Sequence, residues 1–321
     1  MLSRRRASII LLLLLIPVAL SLIAALACGS IGCFSGTPEL VWGLRLPRAM
    51  SAFSVGGLLA LAGALMQVLL RNPLADPYIL GVSGGAAVGA MLALLLAPAA
   101  WLVTSTHLGA LLGAILSITL LLGLARDAVL RTDGASSGIR LILTGVMIAA
   151  GFGACITLML SIAPDGRLRG MIFWLMGDLD NSVLYWPACV LLLLATGWSM
   201  NNAQRLNILV HGDVAATMLG IPVRRLRLQT LLVASIATAG AVATAGTIGF
   251  IGLVVPHALR LVFGNDQRLL LPASALCGGG VLLLADLLAR TIVAPVQLPV
   301  GVITALIGVP IFLQLLKTRR G

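Results

Sequence analysis

Charged residues in this chain are spaced so far apart that lipid is the only solvent in which most of it can fold. Charge-free stretches run from Ala7 to Pro38, Ala49 to Leu70, Pro77 to Ala125, Leu141 to Pro164, Asn181 to Gln204, Leu228 to Leu259, Leu269 to Ala285 and Thr291 to Leu316. A helix that crosses the hydrocarbon core needs roughly 20 mostly apolar residues. Pro77 to Ala125 holds two such helices, with a loop expected near Pro98 and the polar run Thr104 to His107. Leu228 to Leu259 is interrupted at Gly246, Gly249 and Pro256, which predicts one helix to about Thr247 and a shorter span near Ile251 to Phe263. The total is ten. Only 10% of the 321 residues are charged and 60% are hydrophobic, against roughly 25% charged in an ordinary soluble domain. The chain therefore reads as an all-α polytopic membrane protein, a single permease domain over residues 1–321.

The formal charge of +11 raises the question of nucleic acid, which its placement answers. With ten spans and both termini inside, Arg4 to Arg6, Arg71, Arg126, Arg131, Arg140, Arg205, Arg224, Arg225, Arg227, Arg260, Arg268, Lys317, Arg319 and Arg320 fall on the cytoplasmic side. These are 16 of the 21 basic residues, as the positive-inside rule requires. Arg45, Arg48, Arg167, Arg169 and Arg290 fall outside. Short loop clusters of this kind do not form the continuous basic face that a phosphate backbone needs. The N-terminus resembles a signal peptide, but the apolar run Ile9 to Ala27 is long enough to span and is taken as the first helix.

Small residues at four-residue spacing mark helix contact faces in lipid. Gly56, Ala60 and Ala64, then Gly85 and Gly89, then Gly145, Ala149 and Gly153 are such seams. The run Ala60 to Ala64 echoes Ala237 to Ala241 in a helix of opposite direction, a weak inverted repeat of the kind transporters carry.

The loop of about residues 205–225 carries the clearest functional signal. His211, Gly212, Asp213, Val214, Ala215, Ala216, Thr217, Met218, Leu219 and Gly220 read as a short cytoplasmic helix. Asp213 is its expected N-cap, Gly220 its stop and Gly212 a hinge. Such an element either docks into a partner's groove or lies on the lipid surface. The only lysine is Lys317 and no glycine-rich loop precedes it, so a phosphate-binding loop is absent. If ATP drives this protein, another chain binds it, and no catalysis or cofactor is expected on this one. Asp286 and Arg290 can pair at i,i+4. A structural ion pair is favoured there over a proton relay, although a carboxylate at membrane depth is a functional candidate by default. His107 and His257 have no second ligand at metal spacing. Cys28 and Cys33 are near enough to pair, but solitary packing cysteines are the favoured reading.

Several long segments resemble the FecCD-type permease subunits of bacterial ABC importers for iron siderophores, heme and cobalamin. They are LRLPR at Leu44 to Arg48, RNPLADPYILGVSGGA at Arg71 to Ala86, LTGV at Leu143 to Val146, FWLMG at Phe173 to Gly177, LGIP at Leu219 to Pro222, GFIGLVVPHALR at Gly249 to Arg260, LLLADLLAR at Leu282 to Arg290 and LPVGVITALIGVPIF at Leu298 to Phe312. The resemblance implies a cobalamin-permease-like homodimer in the inner membrane, with the fifth and tenth spans lining a path between the copies. It also implies two separate ATPase subunits, which carry ATP and magnesium, resting on His211 to Gly220. Arg45, Arg48 and Arg290 would then meet acidic residues of a periplasmic binding protein, an arrangement that steers docking. The alternative is an ion-gradient-driven secondary transporter coupled through Asp286, with a channel as a third reading. Which chelate is carried does not follow from these residues.

Overall fold

The computed structural model describes residues 4–30, 32–33, 37–126, 135–179 and 185–317. In chain order the helices are α1 (Arg4–Ala27), α2 (Pro38–Leu69, with a π-helical turn at Val41–Arg45), α3 (Val82–Leu96), α4 (Leu102–Leu124), α5 (Ala135–Ile162), α6 (Asp165–Leu175), α7 (Trp186–Val210), α8 (Asp213–Met218), α9 (Val223–Ala245), α10 (Ile251–Phe263), α11 (Gln267–Thr291) and α12 (Val300–Lys317). After α1 comes a minimal antiparallel pair, β1 (Cys28–Gly29) with β2 (Gly32–Cys33). Arg131, Arg319 and Arg320 of the basic set lie outside the described residues.

Six helices, α1, α2, α4, α5, α9 and α11, are each long and apolar enough to cross a membrane. Helices α3, α10 and α12 are shorter apolar segments, and α7 is made less apolar by Asn201, Asn202, Gln204, Arg205 and Asn207 in its C-terminal half. These ten match the segments expected from the charge spacing, with α6 and α8 as short helices at opposite ends of the bundle. The expected loop at Thr104 to His107 is instead the first turn of α4. Its polar groups bond back to carbonyls one turn earlier, Ser105 Oγ to Trp101 at 2.6 Å, Thr106 Oγ1 to Leu102 at 2.6 Å and the His107 ring to Val103 at 2.7 Å. Satisfied inside the helix, they give it no reason to end.

Helix α2 is the axis of the bundle. From Ala49 to Leu69 every residue except Met50 and Phe53 is buried, and α7, α9, α10 and α11 pack around it. Helices approach this closely in lipid only where side chains are missing. A Cβ on Gly56 would collide with the Gly278 carbonyl of α11, and one on Gly63 with the Gly252 carbonyl of α10. Helices α3 and α4 cross the same way, Gly85 against Gly113 and Gly89 against Gly109. Gly145 meets the Ile79 backbone, but Gly153 faces open space, so the third expected seam is packed at one end only.

Helices α3, with 15 residues, and α10, with 13, rise only about 20 Å each, short of the hydrocarbon thickness. Irregular backbone completes their crossings at Pro77 to Leu80 and Gly246 to Phe250. Such backbone survives at membrane depth only if protein satisfies its polar groups. The Tyr78 hydroxyl does so for Ile248, donating to its carbonyl and accepting from its N–H, both at 2.9 Å.

Candidate functional site

The charged side chains gather at the two ends of α2. At the end shared with the α1 C-terminus, Asp286 of α11 is 1% exposed and lies among arginines. Arg48 donates from Nε to Oδ1 at 2.9 Å and from Nη1 to Gln297 Oε1 at 2.7 Å. Arg290 Nε stands 3.4 Å from Asp286 Oδ2, and its Nη2 donates to the Ala25 carbonyl at 2.6 Å. Arg45 Nη1 donates to the carbonyls of Leu26 and Ala27, each at 2.9 Å. The last carbonyls of α1 have no partner within the helix and carry the negative end of its dipole, so guanidinium groups are what they require. The i,i+4 pair of Asp286 with Arg290 is present as expected, but the closer contact is Arg48 from another helix.

The three arginines expected to meet a binding protein gather at this end, two of them buried in the single chain. Arg45 and Arg290 are each only 5% exposed and Arg48 carries the accessible remainder. One buried carboxylate and three orphan carbonyls draw the guanidinium groups inward. Beside them Cys28 and Cys33 form a disulfide, against the favoured reading of unpaired packing cysteines. The β1–β2 turn places them directly opposite one another, which spacing alone does not reveal. Trp42, Trp101 and Trp186, all strongly exposed, stand at the starts of α2, α4 and α7 on this same end, where an interfacial aromatic belt belongs.

At the opposite end α8 is held tightly at its base and bare at its tip. Asp213 is 4% exposed and its Oδ2 accepts from Arg227 Nη1 of α9 at 2.8 Å, while Oδ1 takes Arg71, just past α2. Asp213 was expected to cap the helix. Gly212, with φ +123°, occupies the cap position instead, and the Asp213 side chain makes no capping bond because two guanidinium groups claim it. Arg71 itself has φ +50°, a left-handed conformation that glycine usually takes at a helix C-terminus. Gly220, with φ +74°, closes α8 in a Schellman motif, its N–H on Thr217 O at 2.9 Å and that of Ile221 on Ala216 O at 3.0 Å. Ala216 is buried, whereas Val214, Met218 and Leu219 are 68%, 82% and 66% exposed. His211 is exposed, its ring bonded to the Asn207 carbonyl at 2.9 Å.

A second network ties the same end together. Asn207 Nδ2 donates to Asp266 Oδ1 at 2.9 Å and its Oδ1 accepts from Gln267 N at 2.7 Å. Arg268, bonded to Asp266, holds that carboxyl well below the usual carboxylate range. Arg71, Arg227 and Gln297 were not legible as partners, since spacing along the chain does not say which helix ends meet. Among the described residues no three His, Cys, Asp or Glu side chains converge as a metal centre needs.

The described residues form a polytopic helical bundle with one disulfide-bonded, arginine-rich end and one end that presents a short apolar helix. The chain belongs to the FecCD transport family, whose model matches residues 6–318; it is a permease of the ABC importer class. It is 42% identical over 308 residues to the ABC transporter permease protein YvrB of Bacillus subtilis, covering 91% of this chain and 83% of that one. Its identity to the vitamin B12 import system permease protein BtuC of Vibrio cholerae is 41% over 281 residues, covering 87% and 82%. With the hemin transport system permease protein HmuU of Yersinia pestis it is 41% over 302 residues, covering 89% and 86%. Among solved structures, an inward-facing ABC transporter of metal-chelate type superposes with a TM-score of 0.86 at 28% identity, covering 96% of this chain and 99% of that one.

Proposed function

We propose that this chain is the membrane half of an importer that moves a metal chelate, cobalamin, a ferric siderophore or heme, from periplasm to cytoplasm across a bacterial inner membrane. Two copies form the permease with the path between them, lined by α5 and α12, whose apolar faces are exposed in the single chain. Each copy seats one ATPase subunit on α8, and ATP with its magnesium binds there and not on this chain, which supplies no catalytic group. A periplasmic binding protein brings the cargo to the Arg45, Arg48 and Arg290 end.

The observation that carries this reading is α8. Val214 and Met218 on this helix of six residues, and Leu219 just past it, expose large apolar side chains, and the helix is held at its base by a buried carboxylate between two arginines. A lipid-lying helix would not need such a rigid base, whereas a docking element does. The orientation is supported by the disulfide at the far end, since disulfides persist in oxidising compartments. In this orientation both termini would lie in the cytoplasm. The relatives for vitamin B12 and hemin support the cargo class.

The experiment is reconstitution of the permease with its ATPase and binding protein in vesicles. ATP-dependent accumulation of one of the three chelates is expected. Uphill accumulation by the permease alone, driven by an ion gradient, overturns the proposal in favour of secondary transport. Asp286 gives that alternative no support, since Arg48 and Arg290 already neutralise it.

A further inference from the structure

We propose that α2 is a strut whose two ion-paired ends are energetically coupled, with Arg71 and Arg227 as positioning residues for α8. The proposal rests on the reading of α8 as the ATPase seat and adds the route by which that seat communicates with the periplasmic end.

The inner connection is unusually committed. Arg227, 5% exposed, cannot lose Asp213 without becoming an unpaired buried charge, which is strongly disfavoured. Arg71 holds the other carboxylate oxygen from a backbone conformation that glycine favours. A left-handed arginine is a local penalty, and the ion pair to Asp213 is what it secures. The base of α8 is thereby fixed to the end of α2 and the start of α9 together.

The outer connection is on the same helix. Arg48, in the first turns after the π-helical segment, grips Asp286 of α11. Between Arg48 and Arg71 α2 has no slack. Its side chains are buried almost throughout, and Gly56 and Gly63 set its backbone directly against α11 and α10. Close-packed elements of this kind move as bodies and do not deform. A load on α8 is delivered to the inner end of α2 and reappears at the Arg48–Asp286 pair. The two ends are about 35 Å apart along the helix, and the charges at each end are paired with one another, so the field of each pair falls off steeply over that distance. Direct Coulomb interaction between them is weak, so coupling is carried mechanically, and α2 is the helix that holds an ion pair at each of its ends.

Two measurements decide this. Hydrogen exchange at the amides of residues 214–219, in the permease alone in nanodiscs, is expected to accelerate about fivefold or more in Arg48→Gln at the far end, as in Arg71→Gln at the near end. Unchanged exchange in Arg48→Gln with accelerated exchange in Arg71→Gln sinks the strut, whatever the fate of the ATPase assignment. In the full complex, ATP consumed per chelate imported is expected to rise about five- to tenfold in either single variant. It should rise no further in the double, and fall back in Arg71→Lys. Multiplying effects in the double variant mean two independent ends and overturn the proposal. Absence of ATP-driven import by the unaltered complex removes the proposed function and leaves the exchange result to stand by itself.

Discussion

Arg48 and Asp286 lie 238 residues apart in sequence and 2.9 Å apart in the fold, joining the first turns of the axial helix to the last turns of α11. With Arg290 and Arg45 beside them, one carboxylate and the C-terminal carbonyls of α1 balance three guanidinium groups, two of them buried.

Replacing Asp286 by Ala leaves those arginines without their anion. Removing one partner of a buried pair costs about 3–5 kcal/mol, so the thermal unfolding midpoint of the purified permease should fall markedly. The same substitution made with Arg48→Met should recover part of the loss. An unfolding midpoint equal to that of the unaltered protein contradicts the arrangement.

Met218→Asp and Val214→Asp place charge on the bare face of α8 without touching its base. Surface changes of this kind usually alter stability by less than about 0.5 kcal/mol, so the fold should persist while co-purification of the ATPase is lost. Retained co-purification in both variants would falsify the docking role of that face.

Gly63→Val forces a side chain into the Gly252 carbonyl. Overpacking of this kind costs about 1–3 kcal/mol, read as reduced yield and a lower unfolding midpoint. Gly197→Ala in α7, where nothing stands within 4 Å, serves as the control and should cost no stability.

Tyr78→Phe removes the single hydroxyl that satisfies both polar backbone groups of Ile248. Leaving them unpaired at membrane depth costs about 1–3 kcal/mol, and exchange at the Ile248 amide should quicken. Equal protection in both proteins shows that another group covers that backbone.

Orientation is open to a direct check through Cys28 and Cys33. A membrane-impermeant maleimide added to sealed right-side-out vesicles should label them only after reduction. Labelling that requires access from the inner face reverses the topology.

Number and order of the spans were legible in the chain, because lipid excludes charge and the excluded residues count the helices. The short helix at 213–218 was legible too, as apolar residues between a hinge glycine and a stop glycine. The roles of particular polar residues were less so. Asp213 has the composition of a cap and serves as an anchor, and the Thr104 to His107 run looks like a loop and folds as helix. In each case the deciding partner was a carbonyl one turn away or a guanidinium from another helix.

What the sequence by itself determined is the solvent: residues with so few charges between them must be helical and buried in hydrocarbon, whatever their neighbours. What only the tertiary structure decided is the pairing of the few charges that remain. Lipid solvation depends on the composition of a segment, which is local, whereas a buried arginine must find its carboxylate wherever the packing of helices brings one, and that choice is made in three dimensions.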